Sequence, residues 1–143
     1  MTTQPVTQTK MALLFWRGII LFLAGLLIFY HSYTLFDLYL GAGTSTHTTY
    51  EYVQSILRVA ITLSLLLVVF GSQRALWGMW ISIIGLVATH YWAHFGNLPV
   101  DFTQGRHPLS YLKGLIIPTI ITLAFYSSNL SVDSKTKGEN HSI

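Results

Sequence analysis

The 143-residue chain has no cysteine, which excludes a disulfide framework, a thiol redox pair and any thiolate-ligated metal. Charge is also scarce, with 9% Asp, Glu, Lys and Arg against 52% apolar residues. A soluble domain carries about 25% charged residues, so a surface wetted on all sides is excluded. The formal net charge of +3 is too small and too scattered for nucleic acid, which selects a basic face or stripe. The five acidic residues form no closely spaced pair, and neither a nucleophile with a supporting base nor a phosphate-binding glycine loop is present. A self-sufficient hydrolase or nucleotide enzyme is therefore not expected.

What the chain does have is long hydrophobic runs. Residues 11–33, 52–71, 75–95 and 109–126 read as four spans, because a helix rising about 1.5 Å per residue crosses a roughly 30 Å hydrocarbon core in about 20 residues. The first run is broken by Arg17 and followed by no small-residue cleavage pattern, so it is expected to remain in the protein. Four spans in a chain of this length leave no separate soluble module. The expectation is an all-α membrane protein, with four transmembrane helices in an antiparallel bundle. Residues 1–10 and 127–143 are expected to be disordered tails.

Basic residues orient the bundle. Lys10, Arg17, Arg74, Lys135 and Lys137 fall on one side, against Arg58, Arg106 and Lys113 on the other. The positive-inside rule then places both termini in the cytoplasm, with a bacterial inner membrane as the expected location. Aromatic residues mark the two interfaces, with Phe15, Trp16, Trp77 and Trp80 inside and Tyr30, Tyr33, Tyr50, Tyr52, Tyr91 and Trp92 outside.

The connections agree. Gly71-Ser72-Gln73-Arg74 is a tight turn, making spans two and three antiparallel neighbours. Gly41-Ala42-Gly43 stops a first helix that extends past His31. Thr48-Thr49-Tyr50-Glu51 reads as a capping box opening helix two. Pro108 suits the first turn of helix four, and Pro118 frees the carbonyl of Gly114 and predicts a kink.

Polar residues inside spans are costly and default to function. Glu51, Ser55, Arg58 and Thr62 recur at helical spacing on the outer half of helix two, implying an outer cavity. The alternative is that Arg58 only snorkels to headgroups and Glu51 only caps. Five of six histidines (His31, His47, His90, His94 and His107) fall at the outer ends of the spans. His90 and His94 lie one turn apart on one helix face, a spacing that lets two imidazoles share a cation. His107, His31, Asp37, Glu51 or Asp101 could supply a third ligand. Without sulfur, such a site favours copper or zinc; bis-histidine haem b would instead pair a helix-three histidine with one such as His31. The alternative is that these histidines bond to water, headgroups or loop carbonyls, or fill a partner interface.

Arg17-Gly18-Ile19-Ile20-Leu21-Phe22-Leu23-Ala24-Gly25 followed by His31, and Leu65-Leu66-Leu67-Val68-Val69-Phe70-Gly71-Ser72-Gln73-Arg74-Ala75, resemble the DoxX-like family of small four-span membrane proteins. The resemblance implies the four-helix architecture and, at family level, quinone- or sulfur-linked oxidoreduction. The basic residue the family carries after helix one is replaced here by His31, and its acidic residue in helix two is missing near Ile61.

Two functions are therefore expected of the chain. It is an accessory subunit of a larger membrane complex or a homo-oligomer, using small residues along spans one and three for close helix approach. Alternatively, it is a metal- or haem-binding redox component, with metal ligands among His90, His94, His107 and Glu51 and cofactor contacts from His31 and Arg58.

Overall fold

A computed structural model describes residues 5–41, 48–98 and 105–139, all of whose regular structure is helical. Helix α1 spans Pro5–Phe36 and continues as a π-helical turn, Asp37–Gly41; α2 spans Thr49–Val69 and α3 Gln73–Phe95. The fourth element begins as a 3-10 helix, Pro108–Leu115, and becomes α4 over Ile116–Glu139. Residues 42–47 and 99–104, with the His47, Asp101 and Gly43 of the sequence reading, lie outside the described residues. Helix extends beyond the expected spans at both ends, into the segments read above as disordered tails.

Local chemistry sets the boundaries. The Thr48 amide donates to the Glu51 carboxylate at 2.7 Å and the Glu51 amide donates to the Thr48 hydroxyl at 3.4 Å, so the expected capping box opens α2. At the other end, Ser72 N–H donates to the Leu67 carbonyl and Gly71 N–H to the Val68 carbonyl, with Gly71 at φ +93°. This is a Schellman stop, and glycine adopts its left-handed residue without a Cβ clash. Helix α3 ends in the same way, with Leu98 N–H on the Ala93 carbonyl and Asn97 at φ +49°.

The predicted kink at Pro118 takes another form. The helix changes type at Ile116, placing Pro118 in the first turn of α4, where its missing N–H costs little.

Helix α2 packs against α1 and α3, and α1 packs against α4; the ring closes between α3 and the 3-10 segment. Trp80 Nε1 donates to Thr122 Oγ1 at 2.8 Å across the looser α3–α4 seam. The helices run antiparallel: Arg17, Val68, Val69, Phe125 and Ser128 meet at one end, and Tyr30, His31, Arg58, His90 and Tyr111 at the other. The core between the ends is apolar, with Ile61, Leu65 and Val68 of α2 at helical spacing, Met79 and Ile83 of α3, Ala24 of α1 and Ile121 and Ala124 of α4.

Phe22, Leu63, Ile81 and Leu123, by contrast, point outward and are largely exposed, as expected of faces that meet lipid. Three elements are long and apolar enough to cross a membrane: Lys10–Gly41, Thr49–Val69 and Pro108–Leu130. Helix α3, at 23 residues, is equally long, but Trp77, Gly78, Trp80, Ser82, Gly85 and Thr89–Trp92 dilute its apolar content. By length and composition there are thus three candidate spans among the described residues, not four.

Replacing the fully buried Leu65 with alanine removes its contacts on every side. It is expected to cost about 2 kcal/mol or more in reversible unfolding in detergent. The neighbouring Leu66→Ala, at a position 41% exposed, is expected to change stability by no more than about 0.5 kcal/mol.

Candidate functional site

The end of the bundle that the basic residues of the sequence assign to the outside holds a cavity of about 210 Å³. Helix α1 contributes Leu27, Tyr30 and His31; α2 contributes Arg58; α3 contributes Ile83, Leu86, Val87 and His90. Arg106 and, from the 3-10 segment, Ser110, Tyr111 and Gly114 complete it. The deeper lining is apolar and the outer lining basic and aromatic.

Arg58 stands ten residues inside the Thr48 cap, about 15 Å along the helix axis. It is 8% exposed and turns inward. Its Nη1 lies 3.2 Å from His31 Nδ1, and its guanidinium carbon is 5.9 Å from the Tyr30 ring centroid, within cation–π range. Guanidinium only donates, so His31 Nδ1 is the acceptor and carries its proton on Nε2. His31 is buried at 4% exposure. Among the described residues no carboxylate forms an ion pair with Arg58, and none lines the cavity. Of the predicted stripe on α2, only Arg58 reaches this space. Ser55 and Thr62 instead donate to the carbonyls of Glu51 and Arg58 one turn back, a local satisfaction common for hydroxyls in helices.

The two α3 histidines meet Tyr111. The His90 ring stacks on it at 5.6 Å and the His94 ring meets it edge-on at 5.7 Å. His94 Nδ1 hydrogen-bonds the Tyr111 hydroxyl at 3.1 Å. His107 serves as the N-cap of the 3-10 segment, its Nδ1 accepting from Leu109 N–H at 3.3 Å. Glu51 closes the capping box.

The candidate ligands His90, His94, His107 and Glu51 therefore do not converge. Among the described residues no group of three or more His, Cys, Asp or Glu side chains could hold a metal ion. The physical reasons are local: a tyrosine ring lies against both α3 imidazoles, His107 and Glu51 are used as caps, and His31 faces a cation.

Tyr111, Arg106, Ser110 and Tyr30 belong to the cavity but not to the site read from the sequence. Reading 109–126 as one continuous α-helix assigned Tyr111 no inward direction; a 3-10 segment turns every three residues instead of 3.6. Ser110 Oγ is enclosed and has no hydrogen-bond partner among the described residues. A second polar group, also unforeseen, links α2 to α3: Gln54 donates to the Tyr50 hydroxyl at 2.7 Å and to Thr89 Oγ1 at 3.2 Å. The opposite end of the bundle has a cavity of about 270 Å³ whose only charged lining residue is Arg17.

Tyr111→Phe keeps the ring contacts and removes the bond to His94. It is expected to cost about 1 kcal/mol, and Tyr111→Ala about 3 kcal/mol because the buried ring is lost as well. Thermal unfolding of the two variants beside the parent checks both values.

No family model, curated protein or solved structure matches this chain.

Proposed function

We propose that this chain is a four-span protein of a bacterial inner membrane, with both termini cytoplasmic, that works by binding rather than by catalysis. It is an accessory component of a larger membrane assembly or homo-oligomer, in the DoxX-like architectural class, and its outer-end cavity is the place where it binds. The observation that carries this reading is Arg58, a buried guanidinium inside an apolar bundle, facing a cavity with no carboxylate among the described residues to neutralise it. A charge at such depth costs a few kcal/mol and is kept where it meets a substrate or ligand. The α3 helix crosses with the others in this reading, its tryptophans, glycines and hydroxyls directed to interfaces and helix contacts.

Metal or haem chemistry is the less favoured role. A haem is larger than a cavity of about 210 Å³ can take, and the residues predicted as metal ligands are engaged elsewhere.

The test is native mass spectrometry of protein extracted in mild detergent without chelator, with elemental analysis and a visible spectrum on the same sample. A bound mass retained by the parent and lost in a folded Arg58→Gln variant is the expected result. Stoichiometric copper or zinc, or a Soret band, that disappears when His90 and His94 become alanine would replace this reading with a redox one.

A further inference from the structure

We infer that the outer-end cavity is an oxyanion site of phosphate type, filled by the headgroup of an anionic phospholipid; this rests on the binding role proposed above. Three observations point the same way.

The first is charge. Two guanidiniums, Arg58 and Arg106, line one cavity of about 210 Å³, and no carboxylate among the described residues lines it. A neutral ligand would leave the buried Arg58 charge uncompensated in a low-dielectric bundle. A phosphate oxyanion offers several acceptor oxygens to planar donor forks whose geometry matches it. His31 Nδ1 accepts from Arg58 and so orients that fork.

The second is an enclosed donor without an acceptor. Ser110 lines the same cavity, and its enclosed Oγ finds no partner among the described residues. Such hydroxyls are uncommon in folded proteins and call for an explanation; an oxyanion seated between the two arginines would supply an acceptor once the hydroxyl turns toward the cavity.

The third is shape. Below the basic rim the lining becomes apolar, with Leu27, Ile83, Leu86 and Val87. The site is thus amphipathic along the membrane normal, as a lipid is. Helix α1 does not pack against the 3-10 segment, although it packs against α4 below it. The cavity can therefore be entered from the side, between the exposed Tyr30 of α1 and the exposed Gly114 of the 3-10 segment. A lateral entrance suits a lipid whose acyl chains lie along the apolar floor and pass out into the bilayer. A free phosphate ion has the same chemistry but no use for the apolar floor.

The test compares full-length protein in neutral mild detergent supplemented with phosphatidylglycerol, with phosphatidylcholine, or with inorganic phosphate alone, followed by thermal unfolding and native mass spectrometry. Phosphatidylglycerol is expected to raise the melting temperature and to remain bound at one molecule per chain, whereas phosphatidylcholine does neither. Arg106→Gln, at an exposed position, is expected to weaken retention about tenfold, the value of one charge-assisted contact. Arg58→Gln is expected to abolish retention. Equal protection by inorganic phosphate would assign the same oxyanion site to a free ion. A tightly bound neutral molecule, lost in Arg58→Gln, would overturn this inference and leave the binding role intact. No bound species of any kind, with the parent and both variants melting alike, would overturn both.

Discussion

Arg58→Leu is expected to leave the protein folded and to stabilise it by about 1 kcal/mol, while abolishing ligand retention. Buried charges are costly: an arginine at the centre of a spanning helix carries a penalty of roughly 2.5–3.5 kcal/mol on insertion scales. Replacing buried charged groups with well-packed apolar ones is often stabilising by about 1–4 kcal/mol. The lost charge-assisted bond to His31 takes back about 1.5 kcal/mol, and the lost contact with Tyr30, at the edge of cation–π range, about 0.5 kcal/mol. The balance favours leucine if Arg58 is present for binding, and favours arginine if Arg58 is a structural tie. Reversible unfolding in detergent, paired with native mass spectrometry, separates these cases, because a structural arginine would make the leucine variant less stable.

Gly78→Ile is the second large effect, and its sign is opposite. A Cβ at Gly78 would stand 2.8 Å from Ser64 Oγ, and one at Gly85 would stand 3.0 Å from Leu57 Cδ2. Both neighbours are ends of side chains on α2, so alanine can be accommodated by small rotations at no more than about 1 kcal/mol. Isoleucine at Gly78 adds a branched group that no rotation clears. The α2–α3 pair must then separate along the face built from Gly78, Ser82, Gly85 and Thr89, stretching the bridge of Gln54 to Thr89. Close approach of small residues is the main source of helix association in lipid, so the expected loss is about 3 kcal/mol.

Gly18 and Gly25 of α1 are the control, since a Cβ at either meets nothing within 4 Å. Gly18→Ile and Gly25→Ile are expected to leave the isolated chain unchanged in thermal unfolding. If they disrupt a larger assembly in native gels while the purified chain melts normally, the open face of α1 is where a partner packs.

The parts of the fold legible in the sequence were those written in local chemistry. The Thr48 and Glu51 side chains form their box because both partners lie within one turn. Gly71 ends α2 because the stop needs a residue at positive φ. The gathering of His31, His90 and Arg58 at one end also followed, since an antiparallel bundle brings the matching ends of its helices together.

What was not legible depends on helix rotation and on non-α geometry. Spacing places His90 and His94 on one face but cannot say that a tyrosine from another element will lie against them. Pro108 announced a helix start without announcing a 3-10 segment, and it is that segment which brings Ser110 and Tyr111 into the cavity. A ligand set of imidazoles was therefore read where the chain builds a basic cavity. For α3, apolar length alone suggested a span; the tryptophans, glycines and hydroxyls it uses to pack and to bond take it out of the set of plainly apolar helices.

The function proposed above requires that all four helices cross the membrane and that the basic cavity open outward. The absence of native cysteine makes single-cysteine accessibility the most direct measurement. Ser72→Cys, in the turn between α2 and α3, and Arg106→Cys, at the exposed rim of the cavity, stand at opposite ends of the bundle. An impermeant maleimide applied to intact spheroplasts is expected to label Arg106→Cys at once and Ser72→Cys only after the membrane is opened. Labelling of both from the same side, or of Ser72→Cys first, would contradict the crossing of α3 or the outward cavity.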